Sequence, residues 1–276
     1  MAAMRLDVLR RLASRLRAEL RKVRRDPADI DAVHDARVAA RRLLAGGELW
    51  AHGVRGWFPL RSRLPRVVRR LGRVRNLDVS LAYLAQGPPA DRESRRGLAA
   101  ALEEWRERRR ASLLRWLTPA RLKALFGRLD DVLKAVRGHP LVATPGPPDL
   151  APYFARIASL SAGGAWTSDV AIAHEIRREV RRLRYGHETV SWAYGKADVA
   201  RAVRVLRAVQ EAAGGWQDRC VLTRLAAKAV RKGKVEVPLA PLLARIDAES
   251  KALSSRFEAA LAELLALRPA MLGEAP

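Results

Sequence analysis

The amino-acid sequence predicts an all-α protein. Leu, Ala, Val and Arg are its commonest residues, and aromatic residues make up only 5% of the chain. The apolar residues, 49% of the total, recur in steps of three and four between charged ones, which places them on one face of a helix. With 276 residues the chain can form one large domain or two ordinary ones.

The periodicity begins near the N-terminus and predicts a first helix that ends before Asp26. Arg and Glu occupy the other faces of this helix, as expected of a helix that packs on one side only. Its predicted core positions are Leu9, Leu12, Leu16, Leu20 and Val23.

A second helix is predicted to start in the segment Asp26-Pro27-Ala28-Asp29 and to run to about Trp50. Asp26 is the expected cap, because an acid at that place can accept from the first free N–H groups and a proline suits the first helical position.

The third helix is predicted to follow Pro59 or Pro65, to be loosened at Gly72 and to end at residues 87–89, a Gly-Pro-Pro segment. The remaining helices of this half are predicted at 92–117 and 119–136.

The richest Pro/Gly cluster, residues 138–149, is the predicted linker. It divides the chain into a first helical half, 1–137, and a second, 150–276. Each half is predicted to hold five helices. Those of the second half are expected at 150–162, 168–193, 197–212, 215–231 and 239–266, with a break at Gly214.

The net charge is the most informative feature of the composition. Lys and Arg number 53 against 29 Asp and Glu, which gives +24, and most of the cations are Arg. Nucleic acid, an anionic membrane or a phosphate polymer would each be a suitable partner. The alternative is that the charges are solvated helix faces.

A single cysteine, Cys220, excludes a disulfide within the chain. Charged residues interrupt every apolar run of the N-terminal segment, so no secretory signal is expected. No stretch reaches the roughly 18 uncharged residues of a membrane span. These features predict a soluble, cytoplasmic protein.

An internal repeat relates the two halves. His34, with arginines three, seven and eight positions later, reappears as His174 with the same spacing, 140 positions further on. Gly72 and Asn76 match Gly214 and Asp218 at a displacement of 142. Two matches in the same order predict a duplicated helical unit. Asn76 and Asp218 are interpreted as helix-start or bundle-stabilising groups.

The repeated motif forms a basic stripe at about 100° per residue. His174, Arg177 and Arg181 lie on one arc of their helix with apolar residues opposite, and His34 and Arg37 share the equivalent arc with Arg41. The third helix carries a stripe of its own, made of Arg66, Arg69, Arg70 and Arg73.

Guanidinium groups at one-turn intervals suit a chain of phosphates, since each can donate to two oxygens and none loses its charge. His34 and His174 have three interpretations: donors to phosphate, structural residues or metal ligands. The neighbouring cations and the lack of a paired carboxylate or thiol make the metal interpretation the weakest.

No enzymatic motif is found. The sequence has no Gly-rich loop ending in Lys-Ser/Thr and no His-Glu-x-x-His, and nothing next to the histidines would activate them as nucleophiles. We therefore expect no catalytic residue, no metal and no cofactor.

The chain resembles the CHAD family, the conserved histidine α-helical domain. The resemblance rests on four segments in order, spread over about residues 5–265: His34 to Leu43, Leu71 to Val79, His174 to Tyr185, and Gln210 to Asp218. Asn76 stands where the family usually has Asp.

The resemblance implies two four-helix-bundle-like halves related by a pseudo-twofold axis, forming one compact unit with a central basic groove. It also implies that inorganic polyphosphate is the ligand, and it leaves open an association with polyphosphate granules. The expected phosphate-binding residues are His34, Arg37, Arg41, Arg42, Arg69, Arg73, Arg75, His174, Arg177, Arg181, Arg182, Arg184 and Tyr185. For Tyr185 a packing role is at least as consistent with its position.

Two other functions stay open. A nucleic-acid-binding protein would explain the charge, but the few aromatic residues offer few platforms for base stacking. A helical scaffold without a specific anion would bind all polyanions in proportion to their charge.

Overall fold

The computed structural model describes residues 2–137, 139, 149–167, 169–194 and 199–267. These residues form α-helices joined by short turns and 3-10 segments, with no β-strand in the described ranges. The predicted all-α class is confirmed. The predicted linker, 138–149, lies outside the described residues except for His139 and Asp149.

Five helices precede the linker segment. A 3-10 turn, Pro89–Asp91, leads into the fourth of them. They are α1 (Ala2–Arg25), α2 (Ile30–Trp50), α3 (Trp57–Leu84), α4 (Arg92–Trp116) and α5 (Pro119–Arg137).

The helices after the linker segment include a second 3-10 stretch, Ala162–Thr167. The α-helices are α6 (Ala151–Ser161), α7 (Val170–Tyr194), α8 (Val199–Arg231) and α9 (Ala240–Ala266).

The chain folds into two compact units. The first comprises Met1–Ala85 and Ala99–Gly146, and the second comprises Gln86–Leu98 and Pro147–Pro276. Helix α4 therefore begins in the second unit and continues in the first.

The core of the first unit is built on the predicted face of α1. Leu9, Leu12, Leu16, Leu20 and Val23 are all buried, as their three- and four-residue spacing predicts. In this unit α1 packs on α2 and α5, and α2 packs on α3. The last pairing brings the first copy of the repeated motif against α3.

The start of α2 differs from the prediction. Its cap is Asp29, whose side chain accepts from the N–H of Ala32 at 2.9 Å. Asp26, the expected cap, instead accepts from the N–H of Ala28 at 2.8 Å. The sequence offered two acids three residues apart, and the turn formed by the first sets the second at the helix start.

The predicted interruptions of α3 and α8 are absent. Helix α3 starts at Trp57, ahead of both prolines, and runs through Gly72, and α8 is continuous through Gly214. Both glycines lie where another helix comes close, and this packing outweighs the low helix propensity of glycine. Neither Asn76 nor Asp218 begins a helix, so the helix-start interpretation of these residues is wrong.

A buried carboxylate fixes residues 86–98 in the second unit. Asp91 accepts from Nε of Arg95 at 2.7 Å and from Nε of Arg245 at 2.6 Å. Burial opposes its ionisation, yet these hydrogen bonds hold the pKa of Asp91 below its usual value. Ser94 adds a hydrogen bond from its hydroxyl to the carbonyl of Pro238 at 2.6 Å. This short segment is thus bonded to residues about 150 positions further along the chain.

Candidate anion-binding site

In the first unit, the pairing of α2 with α3 brings the first copy of the motif against a glycine. The guanidinium of Arg37 lies over Gly72, so closely that a Cβ placed on Gly72 would be 3.4 Å from Nε of Arg37. His34 lies one turn before Arg37 on α2, within electrostatic reach of Arg75 on α3. Three cationic or titratable side chains therefore lie near one another where α2 packs on α3: His34, Arg37 and Arg75.

In the second unit, the pairing of α7 with α8 repeats this arrangement. Here the guanidinium of Arg177 lies over Gly214, and a Cβ on Gly214 would be 3.6 Å from its Nη2. His174, one turn earlier, lies 3.3 Å from Gln217 between Nδ1 and Oε1. Since an amide oxygen can only accept, Nδ1 is the donor in this pair.

The two copies differ in the residue that lies near the histidine. Arg75 and Gln217 are 142 positions apart in the sequence, the same displacement as Gly72 and Gly214. The histidine therefore faces a cation in the first unit and a neutral amide in the second. Arg75 was among the predicted site residues and Gln217 was not, although the repeat displacement pointed to it.

The environment keeps both histidines neutral more readily than in water. Burial is the main cause that lowers the pKa of His34, with Arg75 and Arg37 adding to it and Asp35 opposing. Burial also lowers the pKa of His174, against the hydrogen bond with Gln217 and together with Arg177, Arg181 and Arg178. A bound anion would reverse this balance.

Arg177 is partly buried on α7. Burial lowers the pKa of its guanidinium, while Asp218 on α8 opposes the shift. Its Nε is buried without a hydrogen-bond acceptor among the described residues. Since guanidinium groups remain protonated in proteins, this is a desolvated charge with one donor available.

The other predicted residues of α7 divide into two groups. Arg181, like Arg177, lies close enough to His174 to lower its pKa. Arg182 is ion-paired with Glu179 at 2.7 Å, and Arg184 with Glu188 at 3.1 Å. Arg182 and Arg184 thus already have carboxylate partners within the fold, and their assignment to phosphate stays a prediction.

Tyr185 is buried, with the guanidinium of Arg184 4.7 Å from its ring centroid. In the first unit Arg41 and Arg42 are half-buried on α2, while Arg69 and Arg73 are exposed on α3. The predicted residues thus lie on the expected helices, but their side chains differ in solvent exposure.

One histidine of α7, His187, belongs to neither motif. His187 on α7 is buried, and this burial lowers the pKa of His187 to about 4. Within the described ranges, no group of three or more His, Cys, Asp and Glu side chains could hold a metal ion. None of the helices in those ranges is long and apolar enough to cross a membrane.

Comparison with known protein families explains the matched motifs. Residues 7–227 match the sequence profile of the CHAD domain. The chain belongs to the CHAD family. No curated protein sequence matches this CHAD protein.

Two solved structures resemble the CHAD protein along its length. The crystal structure of the CHAD domain from the plant Ricinus communis has a TM-score of 0.68 at 20% identity, covering 100% of this chain and 92% of the other. PptA from Streptomyces chartreusis has a TM-score of 0.64 at 19% identity, covering 98% and 97% respectively. At these identities the likeness concerns the fold.

Proposed function

We propose that this CHAD protein is a non-enzymatic module that binds inorganic polyphosphate through the His/Arg motifs of both units. One observation supports the proposal most: the same arrangement, a histidine and an arginine set against a helical glycine, occurs twice. In each unit the guanidinium lies within van der Waals distance of the position that a Cβ on the glycine would take. A repeated site suits a repeating ligand.

The chemistry of the motif favours phosphate over other anions. Guanidinium groups donate two parallel hydrogen bonds to phosphate oxygens, and partial burial strengthens such bonds. Family membership points the same way. We propose a cytoplasmic place for the protein, with polyphosphate granules as its site of accumulation.

The test against the nucleic-acid alternative is a competition at matched phosphate concentration. Long polyphosphate, single-stranded DNA and double-stranded DNA are each titrated into the protein across a sodium chloride series. DNA held by charge alone loses affinity steeply as salt rises, because binding depends on counterion release. We expect polyphosphate to remain bound at salt concentrations that release both DNAs.

Two outcomes would overturn the proposal. Equal salt dependence for all three polymers would indicate a helical scaffold that binds any polyanion by its charge. Tighter binding of either DNA at physiological salt would indicate a nucleic-acid-binding protein.

Affinity for long polyphosphate is expected to rise as the pH falls from about 8 to about 6. In the free protein the lowered pKa values favour the neutral forms of His34 and His174. A bound polyanion raises these pKa values, so binding takes up protons, and linkage makes the complex tighter at lower pH. Each histidine contributes at most about tenfold per pH unit.

The control for the pH series is the double variant His34→Gln with His174→Gln, in which the rise should disappear. The series stops at about pH 6, because His187 has a folded-state pKa of about 4. A pKa below the unfolded value makes the fold lose stability as the pH falls through about 6.5. An unchanged pH profile in the double variant would show that the histidines are structural.

A further inference from the structure

A cavity in the first unit lies between α3, the end of α4 and α5. Its volume is about 320 Å³, which is within the range of small-molecule sites. The apolar part of its wall is formed by Val67, Leu117, Leu122 and Leu125, with Trp116 beside them. Ala124 also lines it, and its remaining side chains are cationic.

Three arginines line the cavity: Arg63, Arg66 and Arg121. Arg63 and Arg66 are exposed, and neither forms an ion pair with a carboxylate among the described residues. Arg121 donates from Nη1 to the carbonyl of Trp116 at 3.1 Å. No carboxylate belongs to the wall, so the positive charges meet without compensation.

Trp116 is held between cations. Its ring centroid is 5.8 Å from the guanidinium carbon of Arg70 and 5.7 Å from that of Arg121. These cation–π contacts orient both guanidinium groups beside the cavity. Arg63, Arg66 and Arg70 follow one another at helical spacing, so α3 presents a row of three charges along this edge.

The cavity is separate from the His/Arg motif of the same unit. At about 100° per residue, Arg63, Arg66 and Arg70 lie on one side of α3, about 180° from the side that carries Gly72 and Arg75. A ligand in the cavity would therefore lie on the opposite side of α3 from Gly72 and Arg75. The arginines of the cavity can therefore be replaced without altering the side of α3 that carries Gly72 and Arg75, while Arg69 and Arg73 share the stripe of Arg66 and Arg70.

We propose that this cavity binds a small amphiphilic anion, with its charged head on Arg63 and Arg66 and its apolar body against Val67, Leu122 and Leu125. A volume of about 320 Å³ lies at the lower end of the range of small-molecule sites, which favours a single short chain. The uncompensated arginines select an anion over a neutral or cationic chain.

The test is calorimetric titration of the full chain with decanoate and decyl phosphate, below the concentrations at which they form micelles. We expect one molecule of either anion to bind per chain. Decanol, decyltrimethylammonium and inorganic phosphate should each bind at least tenfold more weakly, because each lacks the head or the body.

Two variants locate the site. Arg63→Gln with Arg66→Gln removes the head contacts, and Ala124→Trp fills the cavity from an exposed position on α5. Each should weaken decanoate binding at least tenfold. The matched control, Arg109→Gln with Arg128→Gln, removes two exposed arginines elsewhere in this unit and should leave it unchanged. Circular dichroism checks that each variant is folded. If Ala124→Trp does not fold, Arg63→Gln with Arg66→Gln alone tests the site.

The proposal fails if decanol binds as well as decanoate, if the control weakens binding as much as Arg63→Gln with Arg66→Gln, or if binding does not saturate at one molecule per chain. Separateness is tested by titrating polyphosphate in the presence of saturating decanoate. An unchanged polyphosphate affinity supports a separate site, and displacement of decanoate would contradict it.

Discussion

Replacing Arg37 and Arg177 together by Gln is expected to weaken the binding of long polyphosphate by about a hundredfold or more. Each guanidinium lies against a glycine of a neighbouring helix, where its hydrogen bonds to an anion are partly shielded from water. A hydrogen bond to a charged group contributes at least about 1.5 kcal/mol, so two lost arginines remove about 3 kcal/mol. Fluorescence anisotropy with end-labelled polyphosphate measures the change.

The matched control for this pair is Arg128→Gln with Arg201→Gln, which removes one exposed arginine from each unit. It makes the same change in net charge but should lower affinity only a few-fold. Single variants complete the series. If the control loses as much affinity as Arg37→Gln with Arg177→Gln, the charge is acting without a site and the polyphosphate proposal is wrong.

The substitution Asp91→Asn is expected to lower the free energy of unfolding by about 3–5 kcal/mol, the usual cost of breaking a buried ion pair. The carboxylate is only 2% exposed and accepts from both Arg95 and Arg245. An amide cannot neutralise those two guanidinium groups, so the cluster loses the buried negative charge that both arginines share. Urea denaturation followed by circular dichroism gives the difference.

Asp130→Asn provides the comparison. Asp130 also pairs with an arginine, Arg17, at 2.7 Å, but half of its side chain is exposed. Exposed pairs contribute about 0–1 kcal/mol, so this variant should unfold almost as the parent does. Equal losses in the two variants would show that the Asp91 cluster has no special weight in the second unit.

Much of the fold could be predicted because it depends on local pattern. The three- and four-residue spacing of apolar residues in α1 predicted its buried face. The predicted start of α5 at residue 119 is confirmed, and the hydroxyl of Thr118 accepts there from the N–H of Arg121 at 3.2 Å. The repeat of His34 and Arg37 as His174 and Arg177 predicted two related helices, and the structure places each against a matching glycine.

What could not be predicted depends on contacts between distant segments. Gly214 and Gly215 look like a helix break, yet a Cβ on Gly215 would be 3.0 Å from the side chain of Leu253. The close packing of α9 on α8 leaves little room for a side chain at Gly215, and only the folded chain contains that information. Likewise, nothing in the sequence near Glu179 or Glu188 says which arginines they will neutralise, since several lie within helical reach.

The segment 86–98 sets a limit on how the gene can be shortened. A fragment that starts beyond the Pro/Gly-rich stretch would include the described helices α6 to α9 but not Asp91. In such a truncated product Arg245 would keep Glu249 but lose the buried carboxylate of Asp91, and the carbonyl of Pro238 would lose the hydrogen bond from Ser94. Expression of the second unit alone therefore calls for a rearranged chain, in which those thirteen residues are restored by a fused linker or supplied as a separate peptide.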